Sequence, residues 1–240
     1  MRGNGEGKPV VALDVDGTLG DYHRHFLWFA EQYLDKPMPD PQTINPGERL
    51  HRFMHVRLAD YRAAKLAFRQ GGFKRWMPAY PYASELTTSV RRAGAEVWIC
   101  TTRPYLRLDN IDPDTREWLR RNKIKYDAVL FGEDKYKELR RQAGRRVAAI
   151  LDDLPEMYHE ANRLFPTWTG YTEETGEPIP LKPGPAIILR DQPYNQHITP
   201  LRRALTLEDA WDHIRHGLGS WRAVQSASGV ALRSRMPRQP

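Results

Sequence analysis

The sequence predicts an α/β protein built on a parallel, Rossmann-like sheet flanked by helices, with a mostly helical insert after the first strand. Three observations carry this. Five short apolar runs, Val10 to Leu13, Ala95 to Cys100, Asp127 to Phe131, Val147 to Leu151 and Pro185 to Leu189, have the length and composition of strands buried on both faces. Helical patterns separate them, and strand–helix alternation closes as a parallel sheet with right-handed crossovers. The residues with chemistry to offer fall at the carboxyl ends of these runs or just after them, where open α/β sheets place their ligands.

The first run leads into Asp14-Val15-Asp16-Gly17-Thr18-Leu19. Residues two apart in an extended segment point the same way, so Asp14 and Asp16 are expected to converge, and Gly17 lets the backbone turn. Two carboxylates facing one point repel unless a proton or cation lies between them, and a hard divalent cation such as Mg²⁺ suits an all-oxygen set. Tyr22, Phe26, Phe29 and Tyr33 then recur at helical spacing, and a proline-rich break runs from Pro37 to Pro46. A second helix is expected over Glu48 to Gln70, with Leu50, Phe53, Met54, Arg57, Leu58 and Tyr61 on one side and Gly71-Gly72 ending it. Such an insert cannot lie in the sheet. Residues 21–77 are therefore expected to cover its carboxyl edge as a helical cap, with 1–20 and 78–222 forming the α/β core.

A helix from Pro81 to Ala93 is stopped by Gly94. The second strand runs into Thr101-Thr102-Arg103-Pro104, and Asp112 and Pro113 are expected as N-cap and first residue of a helix turning Trp118 and Leu119 inward. Asp134 is expected to cap a helix from Lys135 to Ala143, and Asp153 to pair with Glu156 in capping the helix after the fourth strand. Phe165 to Lys182 is rich in Thr, Gly and Pro and is expected as a loop or short hairpin. Thr206 with Asp209 caps a last helix bearing Leu207, Ala210, Trp211 and Ile214, expected to end at Gly217. Residues 223–240 are polar, basic and without periodicity, the pattern of a disordered tail.

Composition narrows the partners. A net charge of +7 over 240 residues favours anions: nucleotides, phosphate esters or nucleic acid. No run approaches ~18 apolar residues, which excludes a membrane span, and Met1 to Lys8 lacks the apolar region of a signal peptide. With Cys100 as the single cysteine, these features point to a reducing cytoplasm. Cys100 lies in an expected buried strand and is read as packing. His23, His25, His51 and His55 include an i, i+4 pair, but no carboxylate or cysteine is patterned beside them, so no second metal site is expected.

Asp14-Val15-Asp16-Gly17-Thr18 resembles the first motif of the haloacid dehalogenase (HAD) superfamily. Thr101, Lys135 and Asp152-Asp153 match its second, third and fourth motifs in chain order, so the resemblance covers residues 10–19 and 96–154. It implies a HAD-like core in which Asp14 is a nucleophile forming an aspartyl-phosphate and Asp16 a general acid/base. It further implies that the Thr101 hydroxyl bonds a phosphoryl oxygen, with backbone N–H groups of Thr102 and Arg103 as added donors. Lys135 would neutralise the carboxylates and the transferring group, with Lys137 its competitor two residues on. Mg²⁺ would be held by Asp14, by Asp16 through its carbonyl and by Asp152 or Asp153. Asp152 is preferred, since Asp153 has a capping role to explain it.

Within the superfamily, Leu19-Gly20-Asp21-Tyr22, Val97-Trp98-Ile99-Cys100-Thr101 and Asp191-Gln192-Pro193-Tyr194-Asn195 resemble the 5′(3′)-deoxyribonucleotidases. Thr18 and Thr102-Arg103-Pro104 stand where that group often has Val and Ser-Pro. The resemblance implies a nucleoside or deoxynucleoside monophosphate as the small-molecule substrate, with Tyr22 lining its pocket and the aromatic residues Trp28 and Trp76 available to stack on a base. Thr115 to Arg121 instead resembles the phosphatase half of polynucleotide kinase-phosphatases, implying nucleic-acid 3′ ends as the alternative. A third possibility is an idle scaffold that binds a nucleotide or partner, which the intact first motif argues against. Trp76 could equally meet a second copy of the chain in a homodimer.

Overall fold

A computed structural model describes residues 7–103, 108–166, 168–171, 178–182 and 184–233; Pro104 and the tail beyond 233 lie outside the described residues. The elements in order are β1 (Val10–Leu13), α1 (Tyr22–Leu34), α2 (Leu50–Phe53), α3 (Leu58–Gln70), α4 (Ala83–Arg92), β2 (Glu96–Thr101), α5 (Ile111–Arg121), β3 (Ala128–Phe131) and α6 (Lys135–Ala143). There follow β4 (Val147–Asp152), α7 (Pro155–Leu164), β5 (Trp168–Tyr171), β6 (Pro178–Lys182), β7 (Ala186–Arg190), β8 (Arg203–Ala204) and α8 (Leu207–Arg233). Six strands form one parallel sheet in the order β3-β2-β1-β4-β7-β8, and β5 and β6 form a separate antiparallel hairpin. The expected α/β class holds. The two-residue edge strand β8 was too short to leave a sequence pattern.

Alternation along the strands feeds two apolar layers. Val11, Leu13, Val97 and Ile99 face Leu86 and Val90 of α4 and Leu207 and Ile214 of α8. Val10, Ala12, Trp98 and Cys100 face Tyr136 and Leu139 of α6 and Tyr158 and Leu164 of α7. Both faces are covered, which is why the strands read as continuous apolar runs. Cys100 is buried packing, as expected. Leu13 lies between Ile99 and Leu151 in register, so the residues that follow, Asp14, Thr101 and Asp152, come to one rim.

The helical insert departs from expectation at one joint. The single helix expected over Glu48 to Gln70 is two, because His55 takes a left-handed backbone (φ 52°) and Arg57 starts α3 from an extended conformation. The insert is tied to α5 by three polar contacts. Trp118 Nε1 donates to the Met77 carbonyl (2.6 Å), Asn110 Nδ2 to the Arg69 carbonyl (2.6 Å), and Arg75 pairs with Asp114 (2.5 Å). Caps also differ. α4 begins at Ala83 rather than Pro81, after a left-handed Tyr82. α5 begins at Ile111, and Asp112 pairs with Arg116 instead of capping. Asp134 holds the N-cap position of α6 but accepts from Lys137 rather than from the helix backbone.

The last helix starts where Thr206 and Asp209 predict, through reciprocal backbone bonds of 3.1 and 3.0 Å. It does not end at Gly217. It continues to Arg233, so residues 223–233 of the expected tail are helical. Gly217 serves close approach instead: a Cβ there would lie 2.5 Å from the Ala148 carbonyl oxygen and 2.9 Å from Ala186 Cβ. The turn beyond is fastened by Trp221 Nε1, which donates to the Arg145 carbonyl at 2.8 Å, and by Arg222, which donates to the Ala93 carbonyl.

Two alanine substitutions separate these roles. Gly217→Ala is expected to destabilise the protein by ~1–3 kcal/mol, since the added methyl meets backbone that must shift. Gly219→Ala, with nothing within 4 Å of the added Cβ, should instead gain up to ~1 kcal/mol from helix propensity. Urea unfolding of both variants reads the difference, and equal effects would remove the packing role from Gly217.

Candidate active site

The centre of the rim is a lysine between two aspartates. Lys135 opens α6 and is fully buried; its Nζ lies 2.6 Å from Asp14 Oδ1 and 2.6 Å from Asp152 Oδ2. Tyr136 donates to that same Asp152 oxygen at 2.5 Å, and Leu154 N to the other at 2.9 Å. Lys137 points away and pairs with exposed Asp134, so geometry brings Lys135 to the carboxylates and leaves its competitor outside.

Asp153 is not the helix cap expected of it. The N-cap of α7 is Leu154, with no side-chain bond to the helix. The Asp153 carboxylate turns inward, where Thr18 Oγ1 donates to Oδ1 at 2.6 Å and Tyr194 donates to Oδ2. Asn195 Nδ2 donates to the Asp153 carbonyl at 2.8 Å. Gly17 makes this possible. Its φ is +92°, and a Cβ would lie 2.4 Å from Asp153 Oδ2 and 2.8 Å from the Tyr194 hydroxyl. Gln192 Nε2 donates to the Gly17 carbonyl at 2.7 Å and holds the turn from the far side.

One oxygen from each of Asp14, Asp152 and Asp153 lies within 4.8 Å of the others, and all three residues are buried. Burial pushes the Asp14 carboxyl well up, with Asp152 and Asp153 adding to the shift and Lys135 opposing it. Burial, then the Asp152 charge, pushes Asp153 up to about 7. Burial works against the Lys135 charge, but Asp14 and Asp152 outweigh it and raise the ammonium above its ordinary range. Among the described residues, three carboxylates thus share one ammonium. An oxygen-only set short of positive charge is the donor chemistry of a hard divalent cation such as Mg²⁺.

Asp16 does not join this cluster, contrary to the convergence expected from strand periodicity. β1 ends at Leu13 and the chain turns at Gly17, so the alternation of an extended segment no longer applies. Its carboxylate meets Arg103, with Nη2–Oδ1 at 2.5 Å and Nε at 3.1 and 3.2 Å from the two oxygens, and Lys74 of the insert. Burial favours the neutral acid, but Arg103 and Lys74 prevail and hold Asp16 well below the ordinary carboxylate range. Arg103 is itself fixed by Thr115 Oγ1 at 3.0 Å. Thr101 is buried at the end of β2, where its Oγ1 accepts from Arg103 N at 3.4 Å, and Thr102 is half-buried beside it.

Of the aromatic residues singled out in the insert, Tyr22 shares Lys74 with Asp16. Tyr22 is buried, its ring stacked on Phe26 at 5.7 Å with Lys74 Nζ 4.7 Å above it. Trp28 (53 % exposed) stacks on His25 at 5.6 Å, and Trp76 (56 % exposed) carries the Arg121 guanidinium 3.9 Å from its ring centroid. Sequence reasoning gave no role to Lys74, Tyr136, Gln192, Tyr194 or Asn195. The last three belong to the segment after β7, the neighbour of β4, which the sequence singled out by resemblance without giving those residues a role. No local signal marks Lys74, which acts on a residue 58 positions away.

The Asp153 shift carries a sign. A carboxyl raised in the folded state binds its proton there first, so its contribution is favourable below the unfolded pKa and is lost as pH rises through about 7. Without divalent cation, wild type is therefore expected to lose melting temperature relative to Asp153→Asn between about pH 5 and about pH 8. Thermal melts of both in chelator check this, and a gap that does not change with pH would contradict the shift.

No family model matches the chain, and neither does any curated protein. Solved structures do match. A haloacid dehalogenase-like hydrolase from Streptococcus pneumoniae aligns with a TM-score of 0.56 at 14 % identity, over 86 % of this chain and 98 % of that one. A predicted phosphatase from Clostridium acetobutylicum aligns at 0.57 and 11 % identity, over 87 % and 99 %. A predicted phosphoglycolate phosphatase from Haemophilus somnus aligns at 0.53 and 12 % identity, over 88 % and 99 %. The chain has the α/β fold of the haloacid dehalogenase-like hydrolases.

Proposed function

We propose that the protein is a Mg²⁺-dependent phosphomonoester hydrolase that works through an aspartyl-phosphate. The observation that carries this is the buried Asp14 carboxylate, oriented by Lys135 at 2.6 Å and set among two further carboxylates at the carboxyl rim of a HAD-like sheet. Asp14 forms a bond to phosphorus as the ester P–O bond breaks, and the leaving oxygen takes a proton from Asp16. Water then attacks phosphorus and returns its proton to Asp16, and the Asp14–phosphorus bond breaks to release inorganic phosphate. Lys135 offsets charge on Asp14 and on the transferring group throughout, and the Thr101 hydroxyl stands at the rim to bond a phosphoryl oxygen.

Asp14, the Asp16 carbonyl and Asp153 are the ligands we assign to Mg²⁺, which when bound supplies charge stabilisation to the phosphoryl oxygens. Asp153 is preferred to Asp152 on its partners. Lys135, Tyr136 and the Leu154 amide occupy both Asp152 oxygens, whereas among the described residues the Asp153 carboxylate accepts from neutral hydroxyls, those of Thr18 and Tyr194. The helical insert, residues 21–77, acts as the cap, since Lys74 reaches Asp16 from it. A nucleotide stands as the second substrate reading, supported by the partly exposed rings of Trp28 and Trp76, each with one face already met, by His25 and by Arg121.

Phosphate release from a panel of phosphorylated small acids, sugar phosphates, nucleoside monophosphates and 3′-phosphorylated oligonucleotides tests the reading. Release is expected with Mg²⁺ and not with chelator, and Asp14→Asn should lower it by ~10³ or more while leaving the thermal melt in place. Turnover that survives either treatment would exclude the aspartyl-phosphate route.

A further inference from the structure

The amino ends of the strands form the edge of the sheet away from Asp14, and positive charge gathers there. Val10 pairs with Glu96 and with Val147, so the links that lead into β1, β2 and β4 lie side by side. Those links carry Lys8, Arg91, Arg92, Arg145 and Arg146, and α8 adds Arg222, which donates to the Ala93 carbonyl. Trp221 donates to the Arg145 carbonyl at 2.8 Å, and Arg146 Nη1 lies 3.3 Å from the Lys8 carbonyl and 3.1 Å from Glu96, so the links and α8 meet in one patch. Two carboxylates answer these cations. Glu96 pairs with Arg146, and Asp127 with Arg91 at 3.3 Å. Among the described residues, Lys8, Arg92, Arg145 and Arg222 are exposed and take part in no ion pair. Asp212 is the last acidic residue of the sequence, so no carboxylate follows it along α8.

The helix macrodipole accounts for Arg91 and Arg92 at the end of α4. It does not account for Lys8, which precedes a strand, or for Arg222, which lies inside a helix. Like charges gathered on one face repel, and an anionic partner relieves that repulsion. Neighbouring strands lie about 4.8 Å apart, so three of them spread the charge over roughly 10 Å, too far for one small anion to meet. A DNA duplex presents a charge every ~1.7 Å of its axis, whereas one face of an extended acidic peptide presents a carboxylate every ~6.6 Å. Guanidinium forks also suit phosphate oxygens. An anionic membrane fits less well, because proteins that lie on one insert large apolar side chains. Among the described residues, none of the large apolar side chains that are exposed belongs to these links.

We propose that the amino edge of the sheet, through Lys8, Arg92, Arg145 and Arg222, is a docking surface for the phosphodiester backbone of a nucleic acid. Contacts of this kind carry no base sequence, so binding is expected to be indifferent to it. The surface lies at the other end of the strands from Asp14 and stands whether or not the protein hydrolyses a phosphomonoester.

Fluorescence anisotropy of a short labelled DNA duplex, titrated with the full chain in chelator, tests this. Four phosphate contacts predict saturable binding at 50 mM salt that weakens by about a hundredfold at 200 mM. Lys8→Gln combined with Arg92→Gln is expected to weaken binding by about tenfold or more and to reduce the salt slope by about 2. Arg24→Gln combined with Arg57→Gln removes the same net charge from the insert and should leave the affinity within about twofold. No binding at the lower salt, or equal losses in the two double variants, would overturn the proposal. So would displacement of the duplex by polyglutamate at equal charge, or retention on phosphatidylserine vesicles at a salt concentration where the duplex is released.

Discussion

Everything at the rim depends on the opposite electrostatic settings of Asp14 and Asp16, two residues apart in the chain. Asp14 lies among carboxylates with one lysine for company, and Asp16 lies among cations. A continuous strand would have sent both side chains into one environment. The turn at Gly17 separates them, and only glycine fits there, because Asp153 and Tyr194 occupy the space a Cβ would need. The same turn brings Thr18 onto Asp153, so one short loop both divides the two aspartates and orients a third.

The two settings are built by different parts of the fold. The acidic one comes from the sheet and the helix after β3: β1 and β4 side by side supply Asp14 and Asp152, and the first residue of α6 supplies Lys135. The basic one is assembled across the joint between core and insert. Arg103 comes from the end of β2, Lys74 from the turn after α3, and α5 holds both sides together through Thr115, Asp114 and Trp118. Movement of the insert would therefore change the surroundings of Asp16 while leaving Lys135 and its aspartates in place.

What was legible in the sequence follows this division. Apolar runs, a Thr–Asp capping pair and carboxylates at strand ends are local patterns, and they pointed to the sheet, the start of α8, Asp14 and Asp152, while Lys135 came from the motif resemblance. Contacts made across the fold were hidden. Asp153 carries the spacing of a helix cap, and only tertiary structure reveals that Thr18 and Tyr194 claim its carboxylate instead. Gly217 looks like a helix stop because that is the commonest local use of glycine there, whereas its cause is a strand carbonyl packed against the helix. Lys74 sits in a turn with no pattern at all.

Charge balance connects the two halves of the site. Among the described residues, three carboxylates, Asp14, Asp152 and Asp153, surround the Lys135 ammonium, whereas the single carboxylate of Asp16 is met by Arg103 and Lys74. Under the proposed function, a divalent cation would settle among the three carboxylates and a phosphoryl dianion toward the cations, each where the other sign is in excess.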